Sequence, residues 1–257
     1  MTATPTPVVL LHGVGLDHTM WGTVRSMLLA TAPDVPVLAP DMLGHGTAPH
    51  PDGPYRLAML VHHLVDTLDA AGIDVVDLVG FSMGALVAQG FALDHPHRVR
   101  RLVLVSGVYD RTPDERSAIV ARVAEVRAGG YHATIQPALD RWFSPAFAAD
   151  HPGVVAGVRD RLLANDVVAY GHAYEVFATA DAELVREVRC IAAPTLVITG
   201  GDDQRSTPMM TTRLAAALPD GHAVVVPGVR HLLPLEAPDV LTDHLLTFLD
   251  LPAEATP

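Results

Sequence analysis

Short apolar runs alternate with segments of helical periodicity along most of this 257-residue chain. Such runs are typical of strands that are buried on both faces, and their alternation with helices predicts an α/β fold with a mostly parallel sheet and helices on both faces. The pattern predicts strands at residues 8–11, 35–39, 75–79, 99–105, 195–199 and 223–226, and helices at residues 20–29, 56–70, 85–93, 209–218 and 240–249.

The alternation stops between residues 109 and 189, where the sequence shows helical periodicities and no convincing strand. An all-helical segment within a strand–helix chain predicts an insertion between two strands of one sheet. We therefore predict a core formed by residues 1–108 and 190–257, with a helical cap at residues 109–189. The last residues, 252–257, are expected to be frayed.

The composition narrows the classes of partner. A net charge of −12 argues against nucleic-acid binding, and no stretch approaches the ~20 apolar residues of a membrane span. The single cysteine, Cys190, excludes an intrachain disulfide, and we expect its thiol to be buried and structural. These observations predict a cytoplasmic protein that binds a small molecule, as a monomer or a homodimer, without a nucleic-acid or membrane partner.

A Gly-Phe-Ser-Met-Gly motif occupies residues 80–84, between a predicted strand and a predicted helix. The chain must turn sharply there, and a glycine at each end of the motif prevents a Cβ from clashing with the neighbouring backbone. Ser82 is therefore expected at a strained position, with its hydroxyl presented to the free N–H groups of the helix. This context favours a catalytic nucleophile over the alternative of a helix-capping serine.

A second glycine-containing loop, His-Gly-Val-Gly at residues 12–15, follows the first predicted strand. Acyl transfer produces an oxyanion, which two preorganised N–H groups can stabilise. We expect these donors to be the backbone N–H groups of Val14 and Met83. The alternative is a tight turn without a chemical role. The side chain of His12 is expected to be structural and hydrogen-bonded within the loop.

His231 is the expected general base among the 14 histidines, because it follows the last predicted strand. The carboxyl ends of parallel strands are where such a sheet gathers its ligands, so a side chain on this loop can reach Ser82. The alternative is a loop histidine with a local hydrogen bond. Most other histidines, His45 among them, are expected at the surface, and no pair has a metal-ligand spacing, so we expect no metal site.

The expected acid is Asp203, which follows the strand at residues 195–199 and would orient the imidazole of His231. Its neighbour Asp202 is an alternative, otherwise expected to stabilise the turn, and Asp110 is a third candidate. No glycine-rich dinucleotide fingerprint opens a helix, so we expect no nicotinamide cofactor and no other cofactor.

Four motifs in this order, at residues 12–15, 41–46, 80–84 and 228–231, resemble the α/β-hydrolase superfamily. Residues 141–147 and 169–181 are similar to 3-oxoadipate enol-lactonases and related carboxylesterases. The resemblance implies an α/β-hydrolase fold and a small ester or lactone substrate that can carry a carboxylate. The N-terminal hairpin of that family is expected to be missing, because only seven residues precede the first predicted strand.

We therefore expect a serine hydrolase that cleaves a small carboxylic ester or lactone through an acyl-enzyme. One alternative is C–C bond hydrolysis or lyase-like chemistry with the same triad. A second is a non-catalytic binding protein on a hydrolase scaffold, which would be expected to lose a member of the triad.

Aromatic side chains of the predicted cap are candidates for the acyl pocket, although each could instead belong to the core of the cap. Two arginines flank the predicted acid and base, and a guanidinium can hold a substrate carboxylate; an ion pair within the protein or solvent exposure is the alternative. The aromatic residues are Trp142, Phe143, Phe147 and Tyr170, and the arginines are Arg205 and Arg230.

Overall fold

The computed structural model describes residues 5–251, and its centre is one six-stranded, fully parallel sheet in the order β2-β1-β3-β4-β5-β6. Every predicted strand is present, so the predicted fold class is confirmed. Within residues 5–251 no antiparallel pair joins the sheet. The strands are β1 (Val8–Leu11), β2 (Val37–Leu38), β3 (Val76–Phe81), β4 (Val99–Val105), β5 (Thr195–Gly200) and β6 (Gly221–Val226).

Strand β2 is shorter than the five residues that the apolar pattern predicts. Pro36 and Pro40 flank it, and a proline has no N–H to donate to a strand ladder. Strands β1 and β3 are buried along their whole length, which explains the uninterrupted apolar character of β1. The one charged residue of β3, Asp77, is buried in an ion pair with Arg100.

Eleven α-helices accompany the sheet in the described residues. They are α1 (Gly22–Thr31), α2 (Leu57–Ala70), α3 (Met83–Asp94), α4 (Pro113–Glu125), α5 (Tyr131–Trp142), α6 (Pro145–Asp150), α7 (Pro152–Leu163), α8 (Val167–Leu184), α9 (Pro208–Ala217), α10 (Leu233–Glu236) and α11 (Pro238–Phe248). None of them has both the length and the apolarity that a membrane span requires, among residues 5–251.

The direction in which the chain crosses the sheet determines the helix layers. The strand order reverses after β2, and right-handed crossovers therefore place α1 on one face and α2, α3 and α9 on the other. Helix α11 packs against α1 and completes the first layer.

Helices α4 to α8 lie between β4 and β5, and we call this segment, residues 113–184, the helical insert. It contains a five-residue π-helical stretch, Val126–Gly130, in which Gly129 has a φ of 91°. The insert packs on the core through α8 and α3. That it is a separate cap domain stays a prediction.

One expectation about the core is wrong. Cys190 is exposed, because it ends a short 3₁₀ turn, Val188–Cys190, on the surface before β5. The apolar residues that follow it in sequence, and not the thiol itself, enter the core.

Candidate active site

Ser82 occupies the turn between β3 and α3 with φ 54° and ψ −110°, in the left-handed half of backbone space that non-glycine residues rarely adopt. The neighbouring glycines permit this turn. A Cβ on Gly80 would lie 2.3 Å from the carbonyl oxygen of Gly84, and a Cβ on Gly84 would lie 2.6 Å from the carbonyl oxygen of His12. The tight packing keeps Ser82 in a strained conformation, with its side chain at the tip of the turn.

The imidazole of His231 lies over this hydroxyl. Its Nε2 is 3.2 Å from Oγ of Ser82, and the residue is 5% exposed. The backbone of His231 is fixed from two sides: Ser106 Oγ donates to its carbonyl oxygen over 3.0 Å, and the N–H of Leu232 donates to the carbonyl oxygen of Trp142. Ser106 is not among the residues predicted from sequence, although its position directly after β4 puts it at the same sheet edge as the other loops.

Asp203 lies on the far side of the same ring. Its Oδ2 is 2.7 Å from Nδ1 of His231, and its Oδ1 accepts the N–H groups of Arg205 and Ser206 over 2.8 and 3.0 Å. The carboxylate is 1% exposed. These contacts hold the carboxylate in the orientation that would keep the proton on Nδ1 and leave Nε2 free to accept one from Ser82.

The other two candidate acids lie elsewhere. Asp202 is exposed, and its N–H donates to the carbonyl oxygen of Val229 in the turn. Asp110 forms a surface ion pair with Arg213. Only Asp203 among the three contacts His231 in the described part of the chain.

The two expected oxyanion donors flank Ser82. The loop of residues 12–15 passes so close that a Cβ on Gly13 would lie 3.4 Å from Cβ of Ser82. Within residues 5–251 the backbone N–H groups of Val14 and Met83 donate to no protein acceptor. Both are therefore available to a ligand, and Val14 lines the cavity described below.

Two buried histidines fix this loop. Nε2 of His12 accepts the N–H of Met42 over 2.8 Å, and Nε2 of His45 accepts the N–H of Gly15 over 2.9 Å. Burial lowers the pKa of His12 to about 4 and that of His45 to about 3. Both rings are therefore neutral near pH 7, and only a neutral ring can accept these bonds.

His12 thus has the expected structural role, whereas the expectation that His45 lies at the surface is wrong. The loop at residues 41–46 folds inward around Asp41, whose carboxylate accepts hydrogen bonds from His18 and Thr47. Burial opposes the ionised form of Asp41, but these bonds outweigh it and hold the pKa of that carboxyl well below its usual range.

A cavity of about 820 Å³, its mouth included, lies between this sheet edge and the helical insert. We call the loops that carry Ser82, Asp203, His231 and residues 12–15 the cavity floor. Helices α4, α5 and α8 of the insert contribute to the walls. Of the residues expected to contact substrate, Trp142, Tyr170 and Arg205 line the cavity.

Three of the expected contacts must be corrected. Phe143 and Phe147 do not line the cavity: their rings stack 5.4 Å apart at 4°, and Phe147 also stacks on His151. Arg230 points to α5, where its Nη1 donates to the carbonyl oxygens of Asp140 and Phe143 over 2.6 and 3.1 Å. Arg230 thus fastens the insert to the loop of His231 through backbone carbonyl oxygens, which neither expectation for it included. The two phenylalanines pack within the insert, which is the alternative stated for the aromatic residues.

The sequence analysis did not identify two arginines in the wall, Arg122 on α4 and Arg141 on α5. Their helical spacing carries no signal that distinguishes a cavity-facing arginine from a solvated one.

Residues 5–251 contain no cluster of three or more His, Cys, Asp or Glu side chains that could hold a metal ion.

Comparisons with known proteins identify the family of this chain. The family model described as "Alpha/beta hydrolase family" matches residues 8–244. The chain is 30% identical over 246 residues to (E)-2-((N-methylformamido)methylene)succinate hydrolase of Acinetobacter baylyi, covering 95% of this chain and 90% of that protein. It is 31% identical over 233 residues to 2-hydroxy-6-oxo-2,4-heptadienoate hydrolase of Pseudomonas putida, covering 80% and 75%.

Among solved structures, the enol-lactonase from Burkholderia xenovorans superposes with a TM-score of 0.85 at 29% identity, covering 97% of this chain and 94% of that one. These similar proteins thus include an enol-lactonase and two proteins named as hydrolases of other compounds. Since the family model spans residues 8–244, the chain belongs to the alpha/beta hydrolase family.

Proposed function

We propose that this protein hydrolyses a small carboxylic ester or lactone through an acyl-enzyme on Ser82. The observation that carries the proposal is the continuous contact from Asp203 through His231 to Ser82, which opens into the cavity. A serine hydroxyl is a weak nucleophile until an adjacent base takes its proton, and His231 is placed to do this.

The proposed reaction has two halves. Ser82 Oγ attacks the carbonyl carbon while His231 Nε2 takes its proton, and the oxyanion forms opposite the N–H groups of Val14 and Met83. His231 then returns the proton to the leaving alkoxide, which yields the acyl-enzyme. In the second half, His231 deprotonates a water that attacks the ester carbon, and Ser82 leaves with the proton. A lactone substrate differs only in that the leaving alkoxide stays attached to the acyl group.

We propose that the helical insert acts as the cap of the site. Its position in the cavity wall favours a small substrate over a large one. The walls and the floor of the cavity come from different parts of the chain, and both line the space beside Ser82 and His231. The A. baylyi relative is named for a substituted succinate, and this supports a small acidic substrate here.

A second candidate reaction is hydrolysis of a C–C bond. The P. putida relative, a heptadienoate hydrolase, favours it. This reaction needs a ketone carbonyl next to a group that can accept the electron pair of the broken bond, and a proton for the carbon that leaves. The same His231 could supply that proton, so the floor alone does not distinguish the two reactions.

A substrate panel tests the proposal. The purified protein is assayed with 4-nitrophenyl esters, small lactones and a vinylogous diketone, and the expected result is turnover of esters or lactones. Ser82→Ala should reduce turnover by about 10⁶-fold, as loss of the nucleophile does in a serine hydrolase. A fluorophosphonate probe should label Ser82, and mass spectrometry identifies the modified residue.

Ser26→Ala is the matched control, because Ser26 is an exposed serine whose hydroxyl donates to the carbonyl oxygen of Gly22 in α1. This variant should keep both turnover and labelling. Turnover of the diketone alone would favour the C–C reaction. An active Ser82→Ala variant, or a folded protein that hydrolyses nothing and is not labelled, would overturn the assignment of Ser82.

A further inference from the structure

We propose that the cavity selects a substrate with two carboxylates besides the scissile carbonyl, and that Arg122, Arg141 and Arg205 hold them. The proposal rests on the proposed function, since these side chains line the same cavity as Ser82 and His231. It names the class of substrate that an ester or lactone hydrolase with this wall would take.

The three arginines approach the cavity from two sides. Arg122 belongs to α4 and Arg141 to the last turn of α5, so both come from the helical insert. Arg205 comes from the floor, two residues after Asp203, and is exposed at the rim. A substrate whose carbonyl lies at Ser82 therefore meets guanidinium groups from both the insert and the floor.

None of the three side chains has a partner in the part of the chain that the structure describes. Within residues 5–251, Arg122, Arg141 and Arg205 form no ion pair and no side-chain hydrogen bond, and the Nε of Arg141 is buried without an acceptor. A buried donor without an acceptor is costly, and a ligand oxygen would satisfy it.

The fourth arginine of the cavity lining, Arg111, has its hydrogen-bond acceptors within the protein. Arg111 donates to Asp181 over 2.7 Å and to the carbonyl oxygen of Phe177 over 3.0 Å, and Arg116 shares the same carboxylate. Of the four arginines in the cavity lining, Arg111 thus has a carboxylate partner within the described residues, and the other three have none.

The charges near the three arginines leave a positive excess. Glu115 lines the cavity, but its carboxylate accepts the N–H of Thr112 and caps α4. Burial lowers the pKa of Arg141, and repulsion by Arg122 and Arg205 lowers it further. Burial and Arg122 likewise lower the pKa of Arg205. Asp140 and Asp203 also attract these arginines but lie outside the cavity lining. Within the lining, Arg111 is paired with Asp181, so three guanidinium groups and the carboxylate of Glu115 leave two positive charges in a protein whose net charge is −12.

Two separate carboxylates fit this arrangement better than one compact anion does. A guanidinium binds a carboxylate through two parallel N–H bonds, and the insert and the floor each carry at least one guanidinium that can supply such a fork. Inorganic phosphate carries a similar charge on one small group, so it is the comparison that distinguishes a dicarboxylate site from a general anion site.

Three esters of equal acyl backbone test the proposal. They are 4-nitrophenyl butyrate, the mono-4-nitrophenyl ester of glutaric acid and the terminal mono-4-nitrophenyl ester of propane-1,2,3-tricarboxylic acid, which carry no, one and two free carboxylates. Each added carboxylate should raise kcat/KM by about tenfold to a hundredfold, as expected for a charged hydrogen bond. The ratio of the diacid to the neutral ester is the quantity compared between variants.

Substitution of each arginine by glutamine should lower that ratio by about tenfold or more. The variants are Arg122→Gln, Arg141→Gln and Arg205→Gln. Arg159→Gln is the matched control, because Arg159 is an exposed arginine of α7 outside the cavity lining and loses the same charge. It should leave the ratio as it is in the native protein.

Binding to the Ser82→Ala variant, measured by calorimetry, separates this inference from the proposed reaction. Propane-1,2,3-tricarboxylate should bind more tightly than acetate or phosphate, and each Arg→Gln change should weaken it. If it binds in this way while the native protein hydrolyses no ester, the dicarboxylate site stands and the proposed reaction falls. If the neutral ester reacts as well as the diacid, or phosphate binds equally well, the reaction can stand and the dicarboxylate site falls.

Discussion

The cavity floor and the wall that the helical insert supplies are held in opposite ways. On the floor, the side chains that position the site are hydrogen-bonded within the protein: Asp203 accepts two backbone N–H groups besides the imidazole, and the rings of His12 and His45 accept backbone N–H groups of adjacent loops. In the wall, the guanidinium groups of Arg122 and Arg141 have no protein partner within residues 5–251.

We infer from this difference that the floor determines reactivity and that the unpaired arginines determine substrate selectivity. A floor with internal hydrogen bonds keeps its donors and acceptors in place before a ligand arrives, and such preorganisation accounts for much of catalysis. Unpaired charges in a wall do little until a complementary group binds. Changes to the hydrogen-bonded side chains of the floor should therefore lower turnover or stability, whereas changes to the unpaired side chains of the cavity should alter which substrate is preferred.

The largest effect in this comparison is expected for Asp203→Asn. The asparagine amide can donate to Nδ1 of His231, which would move the ring proton to Nε2 and leave no acceptor for the Ser82 hydroxyl. We expect turnover to fall by about 10⁴-fold. Asp202→Asn is the matched control: this neighbouring carboxylate is exposed, and its loss should cost far less. Steady-state kinetics on one ester measures both.

Thermal unfolding of the two variants shows whether a loss of turnover reflects the ring proton or a loosened turn. A comparable loss of turnover in the two variants, or a greater loss in Asp202→Asn, would contradict the assignment of Asp203. In that case the distinction between an internally satisfied floor and an unsatisfied wall would lose its strongest support.

Acid should weaken the floor through His12 and His45. Their folded-state pKa values, about 4 and about 3, lie below the ordinary value of 6.5, so the unfolded chain takes up protons first as the pH falls. Stability is therefore complete above pH 6.5 and is lost on acidification. From pH 6.5 to 5 the two rings together should lower the unfolding free energy by about 3 kcal/mol.

Urea unfolding at several pH values measures this slope. His12→Asn should remove about half of the pH dependence, whatever it does to stability at pH 7, because one of the two titrating rings is gone. An unchanged slope in the variant would show that His12 is not neutral in the folded protein. The measurement window stays above pH 5 because burial raises the pKa of Asp77, and this carboxyl would contribute with the opposite sign at lower pH.

Local sequence signals were sufficient for the strands and for the placement of Ser82, Asp203 and His231. Each of these residues directly follows a strand or its turn, and the parallel sheet brings such positions to one edge. The turn at residues 80–84 could be predicted from the sequence alone, because it needs a glycine at both ends, where a Cβ would meet the neighbouring backbone. The chemical roles of these side chains remain predictions that the kinetics above test.

The wall could not be predicted in the same way. Whether Arg122 or Phe143 faces the cavity depends on how the insert packs over the sheet. Helical periodicity indicates only which face of a helix is apolar, and not what that face packs against. Phe143 and Phe147 stack on each other outside the cavity lining, and the sequence could not decide between this position and the pocket. The burial of His45 likewise depends on Gly15, which lies 30 positions away in sequence.

The smallest effect is expected for Trp142, whose ring lies 6.1 Å from that of His231 and lines the cavity. Its carbonyl oxygen, which accepts the N–H of Leu232, is retained in Trp142→Ala, so the loop of His231 keeps that bond. Removing the ring should change the relative kcat/KM of short and long acyl esters by about tenfold, the scale of a few methylene contacts. The matched control is Phe143→Ala, which deletes a ring that is 2% exposed and outside the cavity. That variant should lose about 3 kcal/mol of stability while keeping the substrate ranking. If Trp142→Ala instead only unfolds at a lower temperature, with the ranking unchanged, Trp142 belongs with Phe143 in the core of the insert, and the selectivity of the wall depends on its arginines alone.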